Sequence, residues 1–514
     1  MSRRNIVVGL MALTSGSCLA ACSTATRIGG GASSPLVSSP ASAPTSSPQS
    51  VENNCVVLSS EWDGASLVSR VGPAVVQGDH TVVRVEVSSD ANESVGLYGM
   101  LGRHTAAATM NAVRMLSLEQ RIAFCEVTRS GGNESLKPGE SVDLYPVFGR
   151  LPDGMGAVDV FLPNVGVALG VPVVGAEEAG FDVDSVLAAA EIDETVESGP
   201  FELNSVVVAA DGSSDTEKDE ASTTVNVSGD VLFSVDSAEL SGKADELLGS
   251  VVEQLELYPS GGELAITGHT DDVADDAYNQ GLSERRAKAV SDRLGGLTDL
   301  SAWKVSVSGK GESEPRVAND SDGNRQLNRR VEILLTPANP DEASTATPDA
   351  GSADGSGDMP EPKGPVGRGP DGVEIDVDGV PARISLDSVT RYGGYLIGDI
   401  KIVAEEDASV SIAYFGTPDG MYSLREWGPY QATAFSVLDG ASRYLLVDFT
   451  DADGANLPLT NFWRNRLEAN VAHSFPVVWP DTGEDAITVD APGGKSLGRP
   501  VVAVRLTDIP VVES

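Results

Sequence analysis

The chain has 514 residues, with 35 basic and 76 acidic side chains and a formal net charge of −41. A surface that acidic repels nucleic acid and anionic lipid headgroups, which excludes nucleic acid as a partner. The four histidines (His80, His104, His269, His473) are scattered and no Cys-x-x-Cys or His-x-x-x-His spacing occurs, so no zinc centre, no Ser-His-Asp hydrolase and no cofactor is expected.

Residues 1–21 read as a signal peptide. Arg3 and Arg4 form a basic start, and Ile6 to Leu13 form an apolar stretch too short to span a bilayer. The segment ends in Leu19-Ala20-Ala21-Cys22, which resembles a bacterial lipobox. That resemblance implies cleavage before Cys22, diacylation of its sulfur and attachment to a membrane through the lipid. Ser2 to Val7 also resembles a twin-arginine signal without its usual lysine, so the export route stays open. Residues 22–50 are Ser, Pro, Ala, Thr and Gly with almost no charge, the composition of a flexible tether. Cys18 leaves with the signal and Cys22 takes lipid. Cys55 and Cys125 remain, and a pair in an exported chain is expected to form a disulfide.

Residues 51–176 alternate apolar and polar side chains over short runs, as in Thr81 to Val87, with turn residues such as Pro152-Asp153-Gly154 between them. This is the pattern of a β-sandwich. Residues 177–222 are acidic and read as a linker, with a short helix over Asp184 to Ile192. Residues 223–338 alternate strand and helix. Asn226 to Val235, Glu263 to Gly268, Val305 to Val307 and Val331 to Leu335 are strand-like. Ala244 to Leu257 and Tyr278 to Leu294 carry apolar residues at helical spacing. Residues 339–370 form a Pro/Gly/Asp-rich linker. Residues 371–514 read as a second β-sandwich.

The two β-regions look duplicated. Val83-Arg84-Val85 matches Ile400-Lys401-Ile402, Tyr145-Pro146-Val147 matches Phe475-Pro476-Val477, and Val171-Pro172-Val173 matches Arg499-Pro500-Val501, in the same order. The second copy has no cysteine pair but holds Trp427, Trp463 and Trp479. The expected architecture is therefore multidomain: a central α/β domain, helices on a mixed sheet, between two all-β domains.

The densest motif lies in the central part. Gly268-His269-Thr270-Asp271 is followed by Asn279-Gln280-Gly281-Leu282-Ser283-Glu284-Arg285-Arg286-Ala287, then Val290 and Leu294, with Gly309-Lys310-Gly311-Glu312 and Asn328-Arg329-Arg330-Val331 further on. Asn279 and Arg286 are seven apart and share a helix face. With Asp271 they gather a carboxylate, an amide and a guanidinium, the set that recognises a zwitterion, while a plain surface ion pair is the simpler alternative.

The pattern Asn-x-x-Leu-Ser-x-x-Arg-Ala-x-x-Val-x-x-x-Leu resembles the OmpA-like peptidoglycan-binding domain. The resemblance implies non-covalent binding of a diaminopimelate-containing stem peptide, with no chemistry performed on it. Asp271 would meet the ammonium and Arg286 the carboxylate. Asn279, Leu282 and Arg329 would line or support the pocket. Ala274 stands where the family commonly has Gly.

Two weaker signals are set aside. Ser301-Ala302-Trp303-Lys304 fits Ser-x-x-Lys but has no Ser-Asp-Asn or Lys-Thr-Gly partner. Asp320-Ser321-Asp322-Gly323 and Asp451-Ala452-Asp453-Gly454 lack the Glu that closes a calcium loop.

The sequence thus points to a lipoprotein of the cell envelope that ties membrane to peptidoglycan. It would sit on the outer face of the cell membrane, or on the outer membrane if the cell has two. The alternative is a ligand- or protein-binding lipoprotein acting through its β-domains on an envelope partner, with the wall serving only for localisation.

Overall fold

In the computed structural model, residues 51–514 are described except 98, 106–107, 112, 129–134, 220, 235, 341, 343–357, 412, 419–424, 426, 428–431 and 461–465. The signal segment, the tether, Cys22 and Trp463 lie outside the described residues.

The central sheet is built from β1 (Phe201–Ala209), β2 (Ser214–Lys218), β3 (Thr223–Ser228), β4 (Gly262–His269), β5 (Trp303–Gly311) and β6 (Arg330–Pro337). Their spatial order is β1–β2–β3–β6–β4–β5, and all neighbours are antiparallel except β4 and β5. A parallel pair needs a crossover, which α2 (Asp276–Leu297) supplies, while α1 (Ala244–Glu256) connects β3 to β4. Leu248, Val251, Val290 and Leu294 lie on the inner faces of these helices. They pack on Val225, Ile266, Val331 and Ile333, all fully or almost fully buried. The helical spacing read in the sequence places both helices correctly. The opening strand is shorter than expected: it ends at Ser228, and a single helical turn, Gly229–Leu232, leads to Phe233.

Each β-region has its own apolar core. In the first, strand Ala65–Gln77 pairs antiparallel with His80–Ser89 and parallel with Gly166–Val174. His80–Ser89 also takes Val147–Gly149, and Ala157–Leu162 joins Gly166–Val174 to Arg114–Ser117. In the second, Val389–Tyr392 pairs antiparallel with Tyr395–Ala404 and parallel with Arg499–Glu513. Tyr395–Ala404 takes Ala472–Pro480, and Ala486–Ser496 joins Arg499–Glu513 to Ser436–Asp439. Trp479 is fully buried in that second core, whereas Trp427 sits half-buried at its margin.

Two expectations fail. Residues 177–222 are not a linker throughout. After a short helix, Val183–Ala189, they form β1 and β2. β1 pairs with Ile122–Cys125 of the first β-region and with Ser442–Tyr444 and Asp448–Thr450 of the second, so one strand joins all three parts. The acidic residues are tolerated because basic side chains meet them: Arg316 forks onto Asp215 at 2.7 and 2.7 Å, and Arg425 reaches Glu217 at 2.6 Å.

Cys55 and Cys125 are free thiols. Cys55 donates to the Gly72 carbonyl at 3.1 Å. Cys125 is buried in an apolar seam with Phe161, Phe201 and Phe449. Burial raises the pKa of both thiols, which keeps them protonated and unreactive.

Candidate functional site

The site forms where α2 meets the loop leaving β4. The helix lies unusually close to the sheet, and two glycines permit it. A Cβ on Gly268 would stand 2.2 Å from the Ser283 carbonyl oxygen, and one on Gly309 would stand 2.4 Å from the Glu284 nitrogen. Ser283 Oγ accepts from the Gly311 N–H at 2.9 Å and donates to the Gln280 carbonyl at 2.9 Å, locking helix to strand.

Asn279, 2% exposed, organises the loop. Its Nδ2 donates to the carbonyls of Asp271 (3.1 Å) and Ala274 (3.2 Å) and to Glu312 Oε2 (2.6 Å). An amide has two hydrogens for these three acceptors, so they share it. Ala274 is not among the residues with positive φ, so the replacement of glycine there strains nothing.

Asp271 does not pair with Arg286. Its Oδ2 accepts from Arg329 Nη1 at 2.6 Å, and its Oδ1 accepts from the Val273 N–H at 3.3 Å. Arg329 is itself clamped by Asp230, with Nε to Oδ1 at 2.7 Å and Nη2 to Oδ2 at 2.6 Å. The hydrogen bonds to Asp230 are the largest influence on Arg329. Burial opposes them and Asp271 adds to them, and the net effect raises its pKa. The bland reading of Asp271 and Arg286 as an ion pair therefore fails.

Arg286 is 5% exposed, yet among the described residues it has no ion-pair partner. Its Nε donates to the Ser237 carbonyl at 2.9 Å, and its guanidinium lies 5.0 Å from the centre of the Phe233 ring. Among the described residues no carboxylate oxygen comes within 4.0 Å of it. Burial pulls its pKa below the ordinary value, and the fields of Asp230 and Asp236 partly offset that. Leu282, one turn before Arg286, is buried beneath the same helix face.

All five residues singled out in the sequence fall in one neighbourhood around the N-terminal half of α2. Asp230, Glu312, Ser237 and Phe233 join them and were not picked as site residues. Asp230 and Arg329 are 99 positions apart, and no local spacing links them. His269, next to the loop, is buried and pushed down to about 4, by burial first and then by the charge of Arg330, so it is neutral at pH 7.

The comparisons with known proteins bear on this same stretch. Residues 232–329 form an OmpA family domain. Outer membrane protein A of Escherichia fergusonii is 40% identical over 106 residues, covering 20% of this chain and 43% of that protein. Outer membrane porin F of Pseudomonas aeruginosa is 39% identical over 108 residues, 21% of this chain and 31% of that protein. Among solved structures, the cell wall anchor of the T6SS from Pseudomonas aeruginosa is 32% identical, with a TM-score of 0.22, covering 24% of this chain and 88% of that one. The chain thus spans less than half the length of these two outer membrane proteins, and the family match leaves both β-regions outside it.

Proposed function

We propose that this protein binds peptidoglycan without altering it, through the OmpA family domain. The ligand group would be the zwitterionic end of a diaminopimelate residue in a stem peptide. The observation that carries the reading is Arg286: a buried guanidinium, held over Phe233 and by Ser237, with no carboxylate of its own among the described residues. An unpaired buried cation is costly, and a ligand carboxylate accepting its remaining N–H groups would relieve that cost. Asp271 stands ready for the ammonium, because Arg329 takes one carboxylate oxygen and, among the described residues, only a long contact from the Val273 N–H meets the other.

A location in the cell envelope follows from the same reading, since the relatives named above are outer membrane proteins. Lipid attachment at Cys22 belongs to it as well. Among the described residues no helix is long and apolar enough to cross a membrane. The two β-regions are read as copies of one unit, supported by the shared order of strand partners. They would bear on an envelope partner or set the distance to the wall.

The test is co-sedimentation of the full chain with purified diaminopimelate-type sacculi, beside Asp271→Ala and Arg286→Ala. Wild type in the pellet and both variants in the supernatant is the expected result. Wild type left in the supernatant overturns the reading and moves attention to the β-regions.

A further inference from the structure

The loop between β4 and α2 does something its own stability does not require. Val273 is 74% exposed, the highest figure among the exposed large hydrophobic side chains of the described residues. It is not loose. Its N–H donates to Asp271, the carbonyls on either side at Asp271 and Ala274 are held by Asn279, and Arg325 Nε reaches Asp272 at 3.3 Å. Bonds to four consecutive residues thus hold a β-branched apolar side chain out in water.

Tyr278, in the first turn of α2, is 43% exposed and starts the stripe Tyr278, Leu282, Arg286 at four-residue spacing. It lies near enough to Arg286 for the two to act on one another electrostatically. Two exposed apolar side chains therefore flank a site in which Arg286 is buried and Asp271 only partly exposed.

We propose that Val273 and Tyr278 form an apolar lip that takes the methyl and methylene groups of the stem-peptide residues next to the diamino acid, so that the protein reads a peptide and not only a free zwitterion. The inference rests on the stem-peptide reading above and extends the same surface outward. The chemistry fits: a stem peptide offers short aliphatic side chains beside its one zwitterionic end, and a preorganised loop loses little freedom on receiving them.

The experiment is calorimetry on the full chain with two probes, free meso-diaminopimelate and the purified stem tetrapeptide. Wild type is compared with the double variant Val273→Ser/Tyr278→Ala and with Asp271→Ala. The expected result is tighter binding of the tetrapeptide by wild type, and a loss of about 10-fold in tetrapeptide affinity in the double variant, with a smaller change for the free diamino acid. Equal losses for both probes, or none, overturn the lip while leaving the site reading in place. If Asp271→Ala fails to weaken either probe, or wild type binds neither, the site reading itself falls and the lip with it.

Discussion

Two buried arginines of this molecule live in opposite circumstances. At the seam below β1, Arg425 is 4% exposed and fully matched. Its Nε reaches Asp448 Oδ2 at 2.7 Å, its Nη2 bonds the other Asp448 oxygen, and its Nη1 meets Glu217 at 2.6 Å. Asp448 is matched in turn by Trp427 Nε1 at 2.8 Å and Asn204 Nδ2 at 3.1 Å. At the mouth of α2, Arg286 is equally buried, and among the described residues it carries a backbone hydrogen bond to Ser237 and a ring contact with Phe233 but no ion pair. A matched buried charge is finished structure. An unmatched one is tolerated only where the rest of the fold holds it, and such places are where ligands complete the pairing.

Exchanging each arginine for an isosteric apolar residue breaks the comparison open. Arg425→Met leaves Asp448 buried without its cation, and unfolding stability should fall by about 3–5 kcal/mol in a denaturant titration. A loss below about 1 kcal/mol would show that the seam does not depend on the pair.

The next effect comes from carboxylates whose burial outweighs the groups that favour their charge. Asp159 is pushed up to about 6 by burial, although the Gly170 and Leu118 N–H groups oppose this and Glu119 adds to it. Asp399, beside Gly166, is likewise pushed up to about 6 by burial, with Lys401 opposing. Both fold better protonated than ionised. Their folded values lie above the ordinary 3.8, so stability should rise as pH falls through 6, with the gain complete near pH 4. The upper bound is about 3 kcal/mol per group. Thermal melts between pH 7.5 and 5 check this, and Asp159→Asn should flatten part of the slope.

Arg286→Met sharpens the comparison from the other side. It removes an unmatched charge, so stability should hold or rise, while affinity for the stem tetrapeptide should fall roughly 10- to 100-fold in calorimetry. A variant that loses stability as Arg425→Met does would make Arg286 a structural residue. The smallest effect is expected at Arg293, whose contact with Asp245 is solvent-exposed on both sides. Arg293→Ala should leave the melting temperature unchanged within error.

Much of the central domain could be read from its residues, and the reasons are local. α2 was visible in the spacing of Leu282, Val290 and Leu294, and its true start at Asp276 lies two residues before the expected one. The site's neighbourhood was visible in the same helix. What the sequence hid was non-local. The stretch around Asp215 and Glu217 looked solvated because its neutralising arginines come from 101 and 208 positions away. The local signs of β1 and β2 were the β-branched run Val206-Val207-Val208 and the turn pair Asp211-Gly212 after it, ahead of the partner strand at Asp215. The cysteine pair misled for a related reason: parity counts thiols and says nothing of where their Cβ atoms point.

The strand β1 has a mechanical meaning. Leu203 donates to Arg121 O on one side at 2.8 Å, and Leu445 donates to Val206 O on the other at 2.9 Å. A pull on the domain that holds α2 is therefore not taken up by a coil that straightens. It travels along ladders of strand hydrogen bonds into both β-regions at once, so the load is shared between them.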